Sequence, residues 1–505
     1  MKPNTKSGIA RDTVLLTAVS VLLQSLSLLL NIFITRKLGA ASIGVASLIY
    51  SFYAFAITLA NGNTFTSTSR FVSEEIGKGN GNVQKIMSHA LRFSLFLSFF
   101  FAAAVFAFSA KIGTEFLKSD TSVFAIRMMA VSLPLATVGS CLKGYFHARR
   151  IVKIPCISDS LEFFIKASVV AVCVQFFVLP GRIDIFTTIA LSIVLGEIAS
   201  CTYLTLTYRR CRLPKHTGQP ASIPSLRKYG TAIFPIILNA YIFITLSSTN
   251  EALVPLTLKN FSGSVDTALS QYGIFEAIIL PILFFPAVVL QSLSNILVPE
   301  IARRKSAQDT NAVRGLTHDV FSRAFSWSIL VAVVLFVYGG KIGRLACDDP
   351  LVGVTLKILC PVIPFIYLEI VLEGILKGLG MQNFSTVNSA VEYVLRILAV
   401  VFCVPIFGFN GILISYLVSN VACNIVRMLV ILKATKLRFR FAEYLLIPAL
   451  TSGFSALGAG WAMRLLGISD GFFNVAAYLA MVLMFYAFLQ GLLRRFAEPP
   501  PLPAG

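Results

Sequence analysis

TVLLTAVSVLLQSLSLLLNIFIT, residues 13–35, runs for 23 residues without an acid or a base, flanked by Arg11 and Arg36. A helix needs roughly twenty mainly apolar residues to cross the hydrocarbon of a bilayer, so this stretch reads as one complete transmembrane span. It is too long for the core of a signal peptide and ends without a small-residue cleavage site, so it is expected to stay in the mature protein.

Similar stretches recur to the end of the chain. Spans are expected at about 12–35, 43–68, 89–109, 123–147, 154–178 and 185–208, then at about 231–250, 269–298, 318–340, 351–377, 387–407 and 410–432, and finally at about 444–463 and 471–493. The 505 residues are 56% hydrophobic and only 13% charged, with a mean hydropathy of +0.80, whereas a soluble domain carries about a quarter charged residues. The expected fold is an all-α polytopic membrane protein with about fourteen transmembrane helices.

A net charge of +20 could suggest a nucleic-acid partner, but the distribution excludes it. Lys and Arg cluster in alternate gaps between the spans: with the N-terminus inside, about 29 fall on the inner side and about 9 on the outer. Both termini are therefore expected in the cytoplasm, with the chain in the plasma membrane. The richest inner clusters, Arg209, Arg210, Arg212, Lys215, Arg227 and Lys228, then Arg303, Arg304 and Lys305, read as topology signals in contact with anionic lipids.

No Walker A, GxSxG or HExxH motif occurs, and the four histidines fall in inner loops or at helix ends. The nine cysteines lie mostly inside apolar runs with no CxxC pair, as small buried hydrophobes do. An enzyme, an ATP-driven pump in one chain, a metal site and a cofactor are all unexpected.

The long polar link after residue 208 divides twelve spans into two sixes, and these resemble each other. At an offset of 230, FAIRMMAVSLP (124–134) lies over VTLKILCPVIP (354–364), matching Arg127 to Lys357 and Pro134 to Pro364. Leu142 and Gly144 then meet Leu372 and Gly374, Glu162 meets Glu392, and Lys166 meets Arg396. Six is even, so both copies enter the membrane the same way, as a parallel pseudo-two-fold repeat. The expected division is an N-lobe (1–208), a cytoplasmic linker (209–230), a C-lobe (231–432) and two further helices with a tail (433–505), the like lobes enclosing a central cleft.

A charge at mid-bilayer costs at least roughly 2.5 kcal/mol, so each needs a reason. Glu162 and Lys166 are four residues apart on one helical face, and Glu392 and Arg396 repeat the pattern. Two readings stand: each pair neutralises itself and latches its own lobe, or the pairs face the cleft and exchange partners with an anionic head group or a coupling ion. Arg127 and Lys357 sit near outer helix ends, where snorkelling also accounts for them. Glu197, Glu276, Glu369 and Arg427 are further charges expected inside the membrane.

Five stretches carry a likeness to a known family: RKLGAASIGVASLIYSFYAF (36–55), SRFVSEEIGKGN (69–80), LKGYFHARRIVKIPCISDSLEFFIKA (142–167), SQYGIFEAIILPILFFPAVVLQSLSNILVPEIA (270–302) and ILKGLGMQ (375–382). Through them the chain resembles the multidrug/oligosaccharidyl-lipid/polysaccharide exporter superfamily and, within it, the stage V sporulation protein B-like polysaccharide flippases. The resemblance implies two six-helix lobes that rock to alternate access. The implied substrate is a polyprenyl-pyrophosphate-linked oligosaccharide, a cell-wall or polysaccharide precursor, moved from the inner to the outer leaflet. Two extra C-terminal helices are similar to the lipid-flipping members. Arg11, Arg36, Arg127, Lys166, Lys357 and Arg396 are the candidate contacts to pyrophosphate or to coupling carboxylates. NGNTFTSTSR (61–70) is more polar than the family segment, and the first span carries Asn31 where several relatives have arginines.

Two alternatives remain. One is a drug or metabolite antiporter coupled to Na or H through Glu162, Glu276 or Glu392. The other is a non-transporting scaffold for cell-wall enzymes.

Overall fold

The computed structural model describes residues 5–77, 83–113, 122–181, 183–211, 226–347, 349–466 and 471–497. Every regular element among them is a helix. Two compact units divide the chain, Met1–Gly273 and Ile274–Gly505.

The first unit begins with α1 (Thr5–Leu38), α2 (Ala40–Asn61), α3 (Thr64–Gly77), α4 (Val83–Ala107) and the short α5 (Ser109–Lys111). It continues with α6 (Ser122–Ala148), α7 (Lys153–Cys173), α8 (Ile185–Cys211) and α9 (Leu226–Ser262), and α10 (Val265–Ile274) ends at the division. The second unit holds α11 (Leu280–Phe284), α12 (Val288–Ser306), α13 (Thr310–Ala346), α14 (Pro350–Leu359), α15 (Ile363–Gly378), α16 (Gln382–Phe407), α17 (Phe409–Thr435), α18 (Ile447–Leu466) and α19 (Phe472–Ala497). Thirteen segments among the described residues are long and apolar enough to cross a membrane, and α9 covers the remaining expected span. The chain is an all-α, multi-pass membrane protein.

Several expected spans are broken, the tenth among them by a 3₁₀ turn at Cys360–Val362 between α14 and α15. The second stops at Asn61, where Gly62 and Asn63 take left-handed backbone angles, φ +52° and +55°, and resumes as α3. Asn and Gly tolerate that conformation better than other residues, so the polar NGN at 61–63 marks the break. The eighth is interrupted by a π turn at Phe275–Ile279 and a 3₁₀ turn at Phe285–Ala287, beside Pro281 and Pro286; each proline lacks the N–H that a continuous helix needs.

The repeat is visible in which helices pack together. In the first unit α6 lies against α3, α4 and α8, and α7 against α8; in the second, α15 lies against α12, α13 and α17, and α16 against α17. Within a bilayer, small residues let helix backbones approach. A Cβ on Gly144 would sit 2.6 Å from the Phe65 carbonyl oxygen of α3, and one on its repeat partner Gly374 would strike Ser294 of α12. Matched glycines thus hold matched contacts. Phe71, Val72, Ile86, Met87, Tyr145 and Phe146 close the core where α3, α4 and α6 meet.

The last two helices join the second unit through α13. Leu330, Val334 and Tyr338 pack on Ala459, Met463, Tyr478 and Val482. The Tyr338 and Tyr478 rings stack at 3.6 Å, and the Tyr338 hydroxyl donates to Asn474 Oδ1 at 2.7 Å.

Candidate functional site

Each unit carries one network of charged side chains inside its spans. In the first, Glu162 and Lys166 lie on one face of α7, as their spacing requires, and Lys166 Nζ donates to Glu162 Oε1 at 2.7 Å. Lys143 of α6 reaches the same carboxylate at 3.4 Å and Asp159 at 2.7 Å. Glu197 of α8 stands 3.8 Å from Lys166. Gly196 makes room for that arrangement, since a Cβ there would come within 2.8 Å of Lys166 Cγ. Tyr53 of α2 donates to Glu197 at 3.4 Å.

In the second unit Arg396 Nη2 donates to Glu392 Oε1 at 2.9 Å, while its Nε donates to Ser419 at 3.1 Å and its plane lies 4.5 Å from the Tyr416 ring centroid. The centre of the network is Arg427 of α17, 0% exposed. Its Nη1 donates to Asn424 Oδ1 at 2.7 Å and to Glu392 Oε2 at 3.0 Å, and stands 3.3 Å from Glu369; its Nη2 donates to Ser389 at 2.8 Å. Glu373 of α15 is 4.0 Å from Arg427 and is also bound by Lys377, at 2.7 Å.

The two networks share the acid-x-x-x-base pair and reverse polarity around it. Lys143 of α6 occupies the position that Glu373 holds on α15, 230 residues on, and α8 supplies the acid Glu197 where α17 supplies the base Arg427. In unit 1 the flanking cation comes from the fourth expected span and the anion from the sixth; in unit 2 the signs are exchanged.

Of the residues singled out from the sequence, these networks gather Glu162, Lys166 and Glu197 in the first unit and Glu369, Glu392, Arg396 and Arg427 in the second. The others lie elsewhere. Arg36 is exposed in the last turn of α1; Arg127 is exposed on α6, donating to Ser109 at 3.0 Å with its guanidinium 5.4 Å from the Phe106 ring. Lys357 is exposed in the last turn of α14, and Glu276 is half-buried in the π turn that follows α10. The Arg11 side chain lies outside the described residues. Sequence reasoning passed over Lys143 and Glu373 as site members, although the offset of 230 pairs them. It also passed over Glu251 of α9, whose carboxylate accepts from Ser247 at 3.0 Å and from Ser51 of α2.

Comparison with known proteins places this geometry. The MatE family pattern matches residues 17–172 and 266–404. Stage V sporulation protein B of Bacillus subtilis (strain 168) is 22% identical over 511 residues, covering 97% of this chain and 98% of that protein. Sporulation protein YkvU of the same organism is 22% identical over 377 residues, 73% of this chain and 82% of its own. Among solved structures, a lipid II flippase MurJ in an inward closed conformation superposes with a TM-score of 0.72 at 12% identity, covering 96% of this chain and 99% of that one. An inward-facing multidrug resistance MATE family transporter of the MOP superfamily gives 0.64 at 14% identity over 82% and 94%.

Proposed function

Since the chain belongs to the MatE family, and is thus a membrane transporter or flippase of the MOP superfamily, we propose that it flips a polyprenyl-pyrophosphate-linked oligosaccharide from the inner to the outer leaflet. The observation that carries this reading is the set of four basic side chains, Lys143, Lys166, Arg396 and Arg427, held inside the spans on carboxylate partners. Charges at that depth are costly enough to imply a use, and pyrophosphate is a ligand that can take over such cations in a low-dielectric setting. The length of the likeness also supports it: the lipid II flippase matches 96% of the chain, and the multidrug transporter 82%.

In this reading residues 1–208 and 231–432 act as two lobes joined by 209–230, with 433–505 as an addition of the lipid-handling branch. Both termini are cytoplasmic and the protein resides in the plasma membrane. Lys166 and Arg396 give up Glu162 and Glu392 for the substrate, while Arg11, Arg36, Arg127 and Lys357 meet its head group nearer the membrane faces.

A second reading, cation-coupled export of a drug or metabolite, is favoured by Glu251, an acid in α9 bound by the hydroxyls of Ser51 and Ser247 and by no base among the described residues. One experiment separates the two. Protein in liposomes is assayed for translocation of a fluorescent polyprenyl-pyrophosphate oligosaccharide and for ethidium efflux under an imposed ion gradient. Lipid movement that is lost with Lys166→Gln and Arg396→Gln supports the flippase. Dye efflux without lipid movement supports the exporter, and lipid movement unchanged in both variants removes these residues from the substrate path.

A further inference from the structure

Three bases gather at one end of the second unit. Lys341 and Arg344 stand one turn apart near the end of α13, and Arg464 is in the last turn of α18, just before α19 begins. α13 leaves from Thr310, past the basic run of Arg303, Arg304 and Lys305 that ends α12. Its 37 residues extend about 55 Å at the helical rise, against about 30 Å of hydrocarbon, so its far end emerges on the opposite face. With the run at 303–305 cytoplasmic, as in the reading above, that face is extracytoplasmic, where basic residues are scarce. Of about nine bases expected there, these are three, and their gathering needs a cause.

A cavity of about 230 Å³ opens between α13 and α19, lined by Lys341, Arg344, Leu345, Gly471 and Val475. The described residues around it bring two cations and no acid. Lys341 is fixed at its edge, the ammonium 5.0 Å from the Tyr338 ring centroid and donating to Asn474 Oδ1 at 3.4 Å. Arg344 is exposed, and its guanidinium, with five N–H donors, meets no acceptor among the described residues. Like charges three residues apart on a helix repel each other; an anion between them reverses the sign. The remaining walls, Leu345 and Val475, are apolar, and at Gly471 a Cβ would meet nothing within 4 Å. Nearby on the surface Leu465, Leu466, Phe472 and Phe473 are exposed, with Trp461 a turn deeper in α18, the kind of aromatic that sits at the level of lipid head groups.

We propose that this cavity binds the phosphate of an anionic phospholipid, a resident lipid that ties α19 to α13. Size decides how much of the lipid enters: a pocket enclosing a whole small ligand measures about 300–1,000 Å³, so this smaller one takes the phosphate and its glycerol while the acyl chains run outside over the exposed leucines and phenylalanines. A zwitterionic head group is a poorer fit, since it carries its own cation toward Lys341 and Arg344. A free phosphate satisfies the bases and leaves the apolar surface uncovered. The cavity adjoins the stacked rings of Tyr338 and Tyr478, so an occupant braces the contact through which the last two helices join the unit. The site is apart from the charged network around Arg427 and does not depend on what the protein transports.

The test is thermal unfolding of the purified full chain in neutral detergent as phosphatidylglycerol is titrated in, with native mass spectrometry counting the lipids retained. The parent should rise in Tm and retain phosphatidylglycerol in preference to phosphatidylcholine. Arg344→Gln changes an exposed side chain, so it should fold as the parent does and need about tenfold more lipid for the same rise, the loss of one charge-assisted hydrogen bond. Lys341→Gln should do likewise, and Lys341→Arg, which keeps the charge, should restore most of the response. Lys259→Gln, at the end of α9 in the first unit, should respond as the parent does. Equal protection by phosphatidylcholine or by inorganic phosphate alone overturns the proposal, as does an undiminished response in both glutamine variants at 341 and 344. A loss in Lys259→Gln as large as theirs also overturns it, since lipid would then be gathered by overall charge and not by this cavity.

Discussion

Replacing Arg427 with glutamine tests whether the second network is held together by one buried guanidinium. In the parent, Arg427 stands between Glu392 at 3.0 Å and Glu369 at 3.3 Å. Once it is removed, Glu392 keeps Arg396 at 2.9 Å and Glu373 keeps Lys377 at 2.7 Å, but Glu369 has no cation within 4 Å among the described residues. The substitution therefore strands one carboxylate, and stranding one partner of a buried pair costs about 3–5 kcal/mol. Adding Glu369→Gln removes the stranded charge and leaves the remaining acids and bases matched, so the double variant should regain about 2–3 kcal/mol, within the range of coupling energies for residues in contact. Thermal unfolding of the parent, both single variants and the double in one lipid gives the cycle. The expected order of Tm places Arg427→Gln lowest, with the double variant above it. A double variant that falls below Arg427→Gln by the full cost of Glu369→Gln would show the two to be independent, and the network argument would fail.

Two further outcomes follow from the packing and from the surface. Gly144→Ala and Gly374→Ala each push a methyl into a neighbouring helix, against the Phe65 carbonyl and Ser294 respectively. Both should lose about 1–3 kcal/mol in the same unfolding measurement, whereas Gly315→Ala, where a Cβ meets nothing within 4 Å, should not lose stability. At the end of α12, hydrogen bonds from Arg304 and Arg303 hold the Glu300 carboxyl below its usual range. A carboxyl so lowered stabilises the folded state above its ordinary range, and the effect is lost as pH falls through the lowered value. The Tm difference between the parent and Glu300→Gln should therefore shrink as pH is taken from neutral into acid, and a difference that grows would contradict the assignment.

Much of the architecture was legible because a bilayer leaves few choices: helix number, approximate ends and the repeat all follow from where apolar runs stop. Breaks were legible where the chain names them, as at NGN 61–63, and were missed because hydropathy does not register a turn. Partnership was harder. The spacing of Glu162 and Lys166 predicts their contact, since one helix face decides it. Glu197 and Arg427 sit on other helices, whose rotation is not encoded in a span that is apolar nearly all round, so their partners could not be read. Lys143 was hidden twice over: it lies in the basic run KGYFHARR (143–150), which reads as a topology signal, and its repeat partner Glu373 has the opposite charge, so a search for likeness passes it by. Glu251 lies just past the expected end of its span at about 250, because α9 runs on to Ser262.

The reversed polarity of the two networks also bears on how such a chain assembles. Duplicated halves present kindred apolar surfaces to one another while they are inserted, and lipid offers no solvophobic drive to sort them. Were α6 to settle on α17, Lys143 would approach Arg427; were α15 to settle on α8, Glu369 and Glu373 would approach Glu197. Each wrong partnership brings like charges together, which costs several kcal/mol, while each right one brings opposites. With Arg427→Leu the first penalty disappears, and cysteines placed on α6 and α17 should then cross-link in newly made protein more than they do in the parent. An inverted sign at two positions lets each half of a twinned sequence tell its own helices from its sibling's.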